Sequence, residues 1–194
     1  MILISLAVLG IWPIVALAED NTKETSHMEA KIEYTTHIAG TAMEVYQVFT
    51  TPKIASKVFP GPMKSFGKVG EPVVWEWDGK EFANGKVIAL SEDGTSLKHS
   101  FKFVGAEAGI DPEKEKYVTF SYIMKEQNGV CVLHVTVDGF AAGSKMKETL
   151  EWGVPFIMSG AKSVVETGKS IAEIAVEKRK TQKSANKAID SDKK

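Results

Sequence analysis

The sequence predicts an α+β fold: a curved antiparallel sheet of about six or seven strands wrapped on one long C-terminal helix, with two short helices after the first strand. Three observations carry this. Short runs of alternating apolar and polar residues recur between Asp-Gly and Asn-Gly pairs, the pattern of half-buried strands joined by tight turns. One apolar stripe (Leu150, Val154, Ile157, Ala161, Val164, Gly168, Ile171, Ala175) repeats at alternating steps of four and three. Between the first strand and the later ones lies a stretch with helix-start signals and no alternation.

Taken in order, residues 1–18 carry no charge and end in Ala16-Leu17-Ala18, ahead of the polar run Glu19-Asp20-Asn21. Small residues at these positions suit a signal peptidase, so the expectation is a cleaved secretory leader and an exported, periplasmic or secreted protein. The n-region lacks Lys and Arg, and the alternative is an uncleaved segment that tethers the chain to a membrane. Residues 19–30 are expected to be a polar linker, and residues 31–178 the folded domain.

Lys31 to Ile38 alternates, with Ile32, Tyr34, Thr36 and Ile38 on one face. Thr41 and Glu44 form a Thr-x-x-Glu capping box for a short helix whose apolar stripe is Val45, Val48 and Phe49. Pro52 opens a second helical turn that ends near Phe59, and Pro60-Gly61-Pro62 forces a connection. From Met63 the strands follow. Val73, Trp75 and Trp77 share one face of the first; Asp78-Gly79 and Asp93-Gly94 mark turns. Leu97, His99, Phe101 and Phe103 share a face, as do Val118, Phe120, Tyr122 and Met124. Asn128-Gly129 is a hairpin signal, after which Cys131, Leu133, Val135 and Val137 point inward. The final stripe predicts one helix of ~40 Å from Leu150 to Ala175 at 1.5 Å per residue, with a kink or a start where Gly153 and Pro155 interrupt it. Residues 179–194 turn Lys-rich, lose the apolar period and are expected to form a disordered tail.

Composition narrows the function. A net charge of −1 argues against a nucleic-acid binder, which needs a concentrated basic face. Cys131 is the only cysteine, which rules out an intrachain disulfide. The four His have no ligand-like spacing with acidic partners, so no metal and no cofactor are expected. No Gly-rich phosphate loop follows a strand, and no Gly-x-Ser-x-Gly elbow occurs.

The segment WGVPFIMSGAKSVVETG, from Trp152 to Gly168, resembles the end of the Hsp90-ATPase-activator-homologue-1-like branch of the START/SRPBCC (Bet v 1-like) superfamily. The start, IAGTAMEVYQVFTTPKIASKVF, is similar to the strand, small helix and Phe-Thr-x-Pro entry of that branch. Lys57-Val58-Phe59 stands where the family usually carries a tryptophan pair. The resemblance spans Lys31 to Gly168 and implies a helix-grip fold with a hydrophobic cavity. Superfamily members bind lipids, sterols, polyketides and other apolar molecules, and some are enzymes.

A sheet wrapped around a helix leaves a cavity between them wherever packing is incomplete, and ligands would sit there. Phase places Tyr34, Trp75, Trp77, His99, Phe101 and Tyr122 on the sheet side of that cavity, and the stripe places Ile157, Met158 and Ala161 on the helix side. His99, among apolar neighbours, is the one candidate acid or base. The first functional expectation is an exported binding protein for a small hydrophobic molecule, lipid-like or aromatic. The second is a cyclase- or hydrolase-type enzyme using His99 with Tyr34 or Tyr122. The third is an interaction module like the Hsp90 activators.

Overall fold

The computed structural model describes residues 30–59, 61–105 and 109–191, with side chains described as far as residue 182. The expected leader 1–18, the linker up to residue 29, Pro60 and residues 192–194 of the expected tail lie outside the described residues.

The fold is a helix-grip: seven antiparallel strands in one curved sheet, closed by a long helix. The strands are β1 (Ile32–Ala39), β2 (Met63–Phe66), β3 (Pro72–Trp77), β4 (Lys80–Leu90), β5 (Ser96–Phe103), β6 (Val118–Gln127) and β7 (Val130–Asp138). Their spatial order is β1-β7-β6-β5-β4-β3-β2, so every strand from β3 onward pairs with its predecessor, β1 crosses over to pair with β7, and β1 and β2 are the two edges. The helices are α1 (Ala42–Thr50), α2 (Pro52–Ala55), α3 (Lys145–Thr167) and α4 (Ile171–Ser191).

Local chemistry sets each boundary. At Thr41 the capping box is closed: the Glu44 N–H donates to Thr41 Oγ1 at 3.1 Å and the Thr41 N–H donates to Glu44 Oε2 at 2.8 Å. Asp78-Gly79 and Asn128-Gly129 have positive φ at both residues (49° and 72°, 52° and 75°), the backbone of a two-residue hairpin whose twist matches its strands. Register shifts at Trp75/Glu76 and Val87/Ala89 bulge the sheet, and bulges bend the strands that carry them.

The helix α3 starts ten residues before Pro155, at a cap the sequence reading did not find. Ser144 Oγ accepts the Lys147 N–H at 3.0 Å and donates to Glu115 Oε2 at 2.6 Å, while Glu115 Oε1 accepts the Met146 N–H at 3.0 Å. A buried carboxylate thus takes up helix-start donors, where it also meets the positive end of the helix dipole. Pro155 therefore lies inside α3, not at its start.

Two further expectations change. The stripe from Leu150 to Ala175 is not one helix, because Gly168 adopts a left-handed φ of 72° and its N–H closes onto Val164 O at 2.8 Å, ending α3. Residues 179–191, read as a disordered tail, continue α4 as helix. Its start is a second capping box that the composition of the tail obscured: the Glu173 N–H donates to Ser170 Oγ at 3.2 Å and the Ser170 N–H to Glu173 Oε2 at 2.7 Å.

The core lies between the sheet and α1 and α3. Ile38, Val45, Phe49, Leu133, Val135 and Val154 are almost wholly buried in it. The C-terminal half of α3 also covers the free edge of β1. Lys162 Nζ donates to His37 O at 2.7 Å, and the Ala39 N–H donates to Glu166 Oε1 at 2.8 Å. These side chains occupy edge groups that could otherwise pair with another strand. Glu166 is held below the usual carboxylate range, first by its bond from Lys162 and then by the Ala39 N–H.

Candidate functional site

At the other end of the sheet, the N-terminal half of α3 and the strands β3 to β6 enclose a cavity of about 140 Å³. The sheet supplies Trp75, His99, Phe101, Phe103, Phe120 and Tyr122; the helix supplies Thr149, Leu150, Gly153 and Ile157. Phe59, Phe82 and Trp152 complete the wall. Trp152 is 75% exposed, so the cavity opens to solvent beside it, and its ring stacks on Phe156 one turn later at 5.9 Å.

Strand register assembles the sheet wall. His99 and Phe120 are direct cross-strand partners on β5 and β6, and their rings stack at 5.2 Å and 8°. Tyr122 lies diagonally from His99, opposite Leu97, close enough for its hydroxyl to reach the imidazole. Trp75 sits two strands from His99, yet their rings approach to 5.5 Å. The intervening β4 makes this possible, because its buried stretch opposite Trp75 carries only the small residues Ala83 and Gly85.

Around Gly85 the ladder between β4 and β5 lapses, and His99 gains from it. The pairing passes from Asn84↔Lys102 to Val87↔His99. Between them the Lys86 N–H donates to Ser100 Oγ at 2.8 Å, and Ser100 O pairs with His99 Nδ1 at 3.0 Å. A Cβ on residue 85 would collide with that same carbonyl. A carbonyl oxygen only accepts, so Nδ1 carries the proton. Nε2 of the neutral ring is then an acceptor, and the Tyr122 O–H donates to it at 3.4 Å.

Burial keeps both groups uncharged. His99 is 3% exposed, and desolvation pulls its pKa from 6.5 down to about 4, against a smaller upward effect of the Ser100 bond. Desolvation also pushes the Tyr122 hydroxyl above its ordinary value. The chain of bonds Tyr122 → His99 → Ser100 runs in one direction and leaves no ring nitrogen free.

Residues 39–164, well over half of the chain, match the family described as Activator of Hsp90 ATPase homolog 1-like protein. The chain belongs to that family, within the START/SRPBCC superfamily. No curated protein matches the sequence. Among solved structures, a protein of Mesorhizobium loti shares the fold with a TM-score of 0.61 at 13% identity, over 71% of this chain and 97% of the other. The Aha1 dimer from Colwellia psychrerythraea is similar at a TM-score of 0.60 and 16% identity, over 73% and 99%. DynU16, from the dynemicin biosynthetic locus, gives 0.58 and 16%, over 72% of this chain and 48% of that one. At such identities the likeness extends to the fold alone.

Within this member of the family, Trp75, His99, Phe101, Tyr122 and Ile157 come together on the cavity wall. Four residues expected there do not join them. Tyr34 is half-buried on the edge strand β1, three strands from β5. Trp77 shares the nominal phase of Trp75, but the register shift at Glu76 carries it to the hairpin end, 52% exposed. Met158 and Ala161 are sealed in the core. Phe103 and Phe120 were visible in the strand phase, and only their role as wall was missed. Phe59 stands in the position of the family's tryptophan pair and packs on Trp75 at 5.8 Å. Nothing in the local sequence announces Phe82, which precedes buried Ala83 and meets Phe103 at 6.2 Å.

A wider depression, about 530 Å³, lies on the outer face of the sheet between Pro72, Glu81, Lys86 and Tyr117. Its polar groups bond to one another: the Tyr117 O–H donates to Asn84 Oδ1 at 2.7 Å and the Asn84 amide donates to Glu81. The enclosed inner cavity is the better candidate site, since ligand burial there removes far more apolar surface from water.

Proposed function

We propose that this protein binds one small, neutral, hydrophobic molecule between its sheet and α3. The observation that supports this is the cavity of about 140 Å³, open beside Trp152 and walled mostly by aromatic and aliphatic side chains. An engineered apolar cavity of roughly 150 Å³ takes up benzene, so the volume matches a single ring. Of the two ligand kinds expected from sequence, lipid-like and aromatic, it favours the aromatic one; an acyl chain or a sterol would require α3 to move away from the sheet. Titration with single-ring aromatics, followed by native mass spectrometry, tests the reading. It predicts one ligand per chain, and its failure is a panel of rings none of which is retained.

We also propose that the protein is exported, supported by the uncharged run of residues 1–18 and its Ala16-Leu17-Ala18 end. Among the described residues no helix is long and apolar enough to cross a membrane. The mass of the chain recovered from the periplasm or medium checks this: cleavage after Ala18 removes residues 1–18, and a full-length chain held in the membrane fraction supports the tethered alternative.

A second reading is acid–base catalysis of the cyclase or hydrolase kind. The approach of His99 and Tyr122 in one cavity favours it. Against it, burial keeps His99 neutral down to about pH 4 and pushes the Tyr122 hydroxyl above its ordinary value, whereas a general acid or base works best with its pKa near the operating pH. Binding therefore ranks above turnover.

A further inference from the structure

Buried donors in folded proteins almost always have an acceptor. Among the described residues one buried side-chain polar atom lacks one: Nε1 of Trp75, on a residue 1% exposed. Its ring is part of the cavity wall. Around it stand the rings of Phe101 at 5.2 Å, His99 at 5.5 Å and Phe59 at 5.8 Å, which offer at best a weak N–H···π contact. The other polar side chains of the wall are committed. His99 uses both nitrogens, the Tyr122 O–H is spent on His99, and the Thr149 hydroxyl donates to Lys145 O at 3.1 Å. Trp152 is open to water. Among the described residues, Trp75 Nε1–H is thus the one buried side-chain donor of the wall without an acceptor.

We infer that the ligand carries a hydrogen-bond acceptor and that Trp75 Nε1–H donates to it, which makes the ligand class a neutral single-ring aromatic ketone, ester or ether. This rests on the binding reading above and adds the polar half of the recognition. A water molecule is a poor substitute, because a buried water needs roughly two to four polar partners and the surrounding rings supply none. A carboxylate is excluded for a different reason: with no cation on the wall, its desolvation would not be compensated. The donor is directional, so it selects where the oxygen lies on the ring as well as whether one is present.

Acetophenone and α-methylstyrene separate the two halves, since they differ only in C=O against C=CH₂. The full chain is labelled with ¹⁵N at its indoles, which are four: Trp12, Trp75, Trp77 and Trp152. Acetophenone is expected to move the Trp75 indole proton downfield, and α-methylstyrene to bind without that shift. Replacing the N–H by sulfur at constant shape (Trp75→benzothienylalanine) is expected to change the ratio of the two affinities about tenfold against acetophenone. If both probes bind and neither the shift nor the ratio responds, the acceptor requirement is overturned while the binding reading stands. If neither perturbs any cavity resonance, both fall. The shift is read on the unmodified protein, so poor folding of the substituted chain leaves the test intact.

Discussion

Acid should destabilise this protein through His99 in a way that can be isolated. The folded ring resists protonation down to about pH 4, and the ordinary value is 6.5. Between those limits the unfolded chain takes up a proton at residue 99 that the folded chain does not. Stability from this source is therefore full above pH 6.5, declines as the pH falls and is gone near pH 4. Each pH unit is worth about 1.4 kcal/mol, so the interval from 6.5 to about 4 amounts to about 3 kcal/mol. The conversion is warranted because His99 is buried and solvent screening is slight.

The assay is urea unfolding at a series of pH values from about 7.5 to about 4.5, on the wild type and on His99→Phe/Tyr122→Phe. The double substitution removes both partners of the Tyr122–His99 bond, whereas removing one would orphan the other; it leaves the Ser100 carbonyl without its donor, a cost that does not vary with pH and drops out of the comparison. Exposed carboxylates such as Glu44 and Glu166 are held low by Thr41 and Lys162, and they also lose stabilisation in acid. They are common to both proteins and cancel in the difference. The expected result is that the wild type loses about 2.5 kcal/mol more than the variant across this range. Parallel curves would refute the argument, since they would mean that the imidazole protonates as easily in the folded state as in the unfolded one.

Other outcomes follow from particular contacts. Ile157→Trp should project a larger ring into the cavity, weaken retention of single-ring ligands in native mass spectra and cost about 1–3 kcal/mol of unfolding free energy. Glu115→Ala should strand the Met146 N–H at the start of α3 and cost about 2 kcal/mol by urea unfolding. Gly168→Ala places a Cβ on a residue with φ of 72°, and should destabilise by about 1 kcal/mol in the same assay.

The strands and turns were legible because their information is local. Alternation in β5 to β7 identifies the buried face, and positive-φ pairs such as Asn128-Gly129 fix the hairpins. Register then makes His99 and Phe120 partners without further input. What was illegible depends on interruptions. The shift at Trp75/Glu76 turns Trp77 outward even though simple counting puts it inside. The stripe from Leu150 to Ala175 keeps its period across Gly168, so periodicity alone cannot see that a left-handed residue splits it. The charge-rich sequence after Glu177 hid a helix whose start is set by Ser170 and Glu173. Tyr34 failed as a site residue because phase says which face a side chain takes and nothing about which end of the sheet it occupies.

The site owes its form to the smallness of β4. With larger inward residues at 83 and 85, Trp75 could not approach His99 and Phe101, and the sheet would present a continuous aliphatic floor to α3. With Ala83 and Gly85 there, rings from β3, β5 and β6 close over the gap. Gly85 also frees the Ser100 carbonyl to fix the imidazole tautomer. The result is an apolar cavity with its polar groups locked in a one-way chain, apart from the Trp75 N–H. General acid–base work is fastest with a pKa near the operating pH, and burial moves those of His99 and Tyr122 in opposite directions away from neutrality.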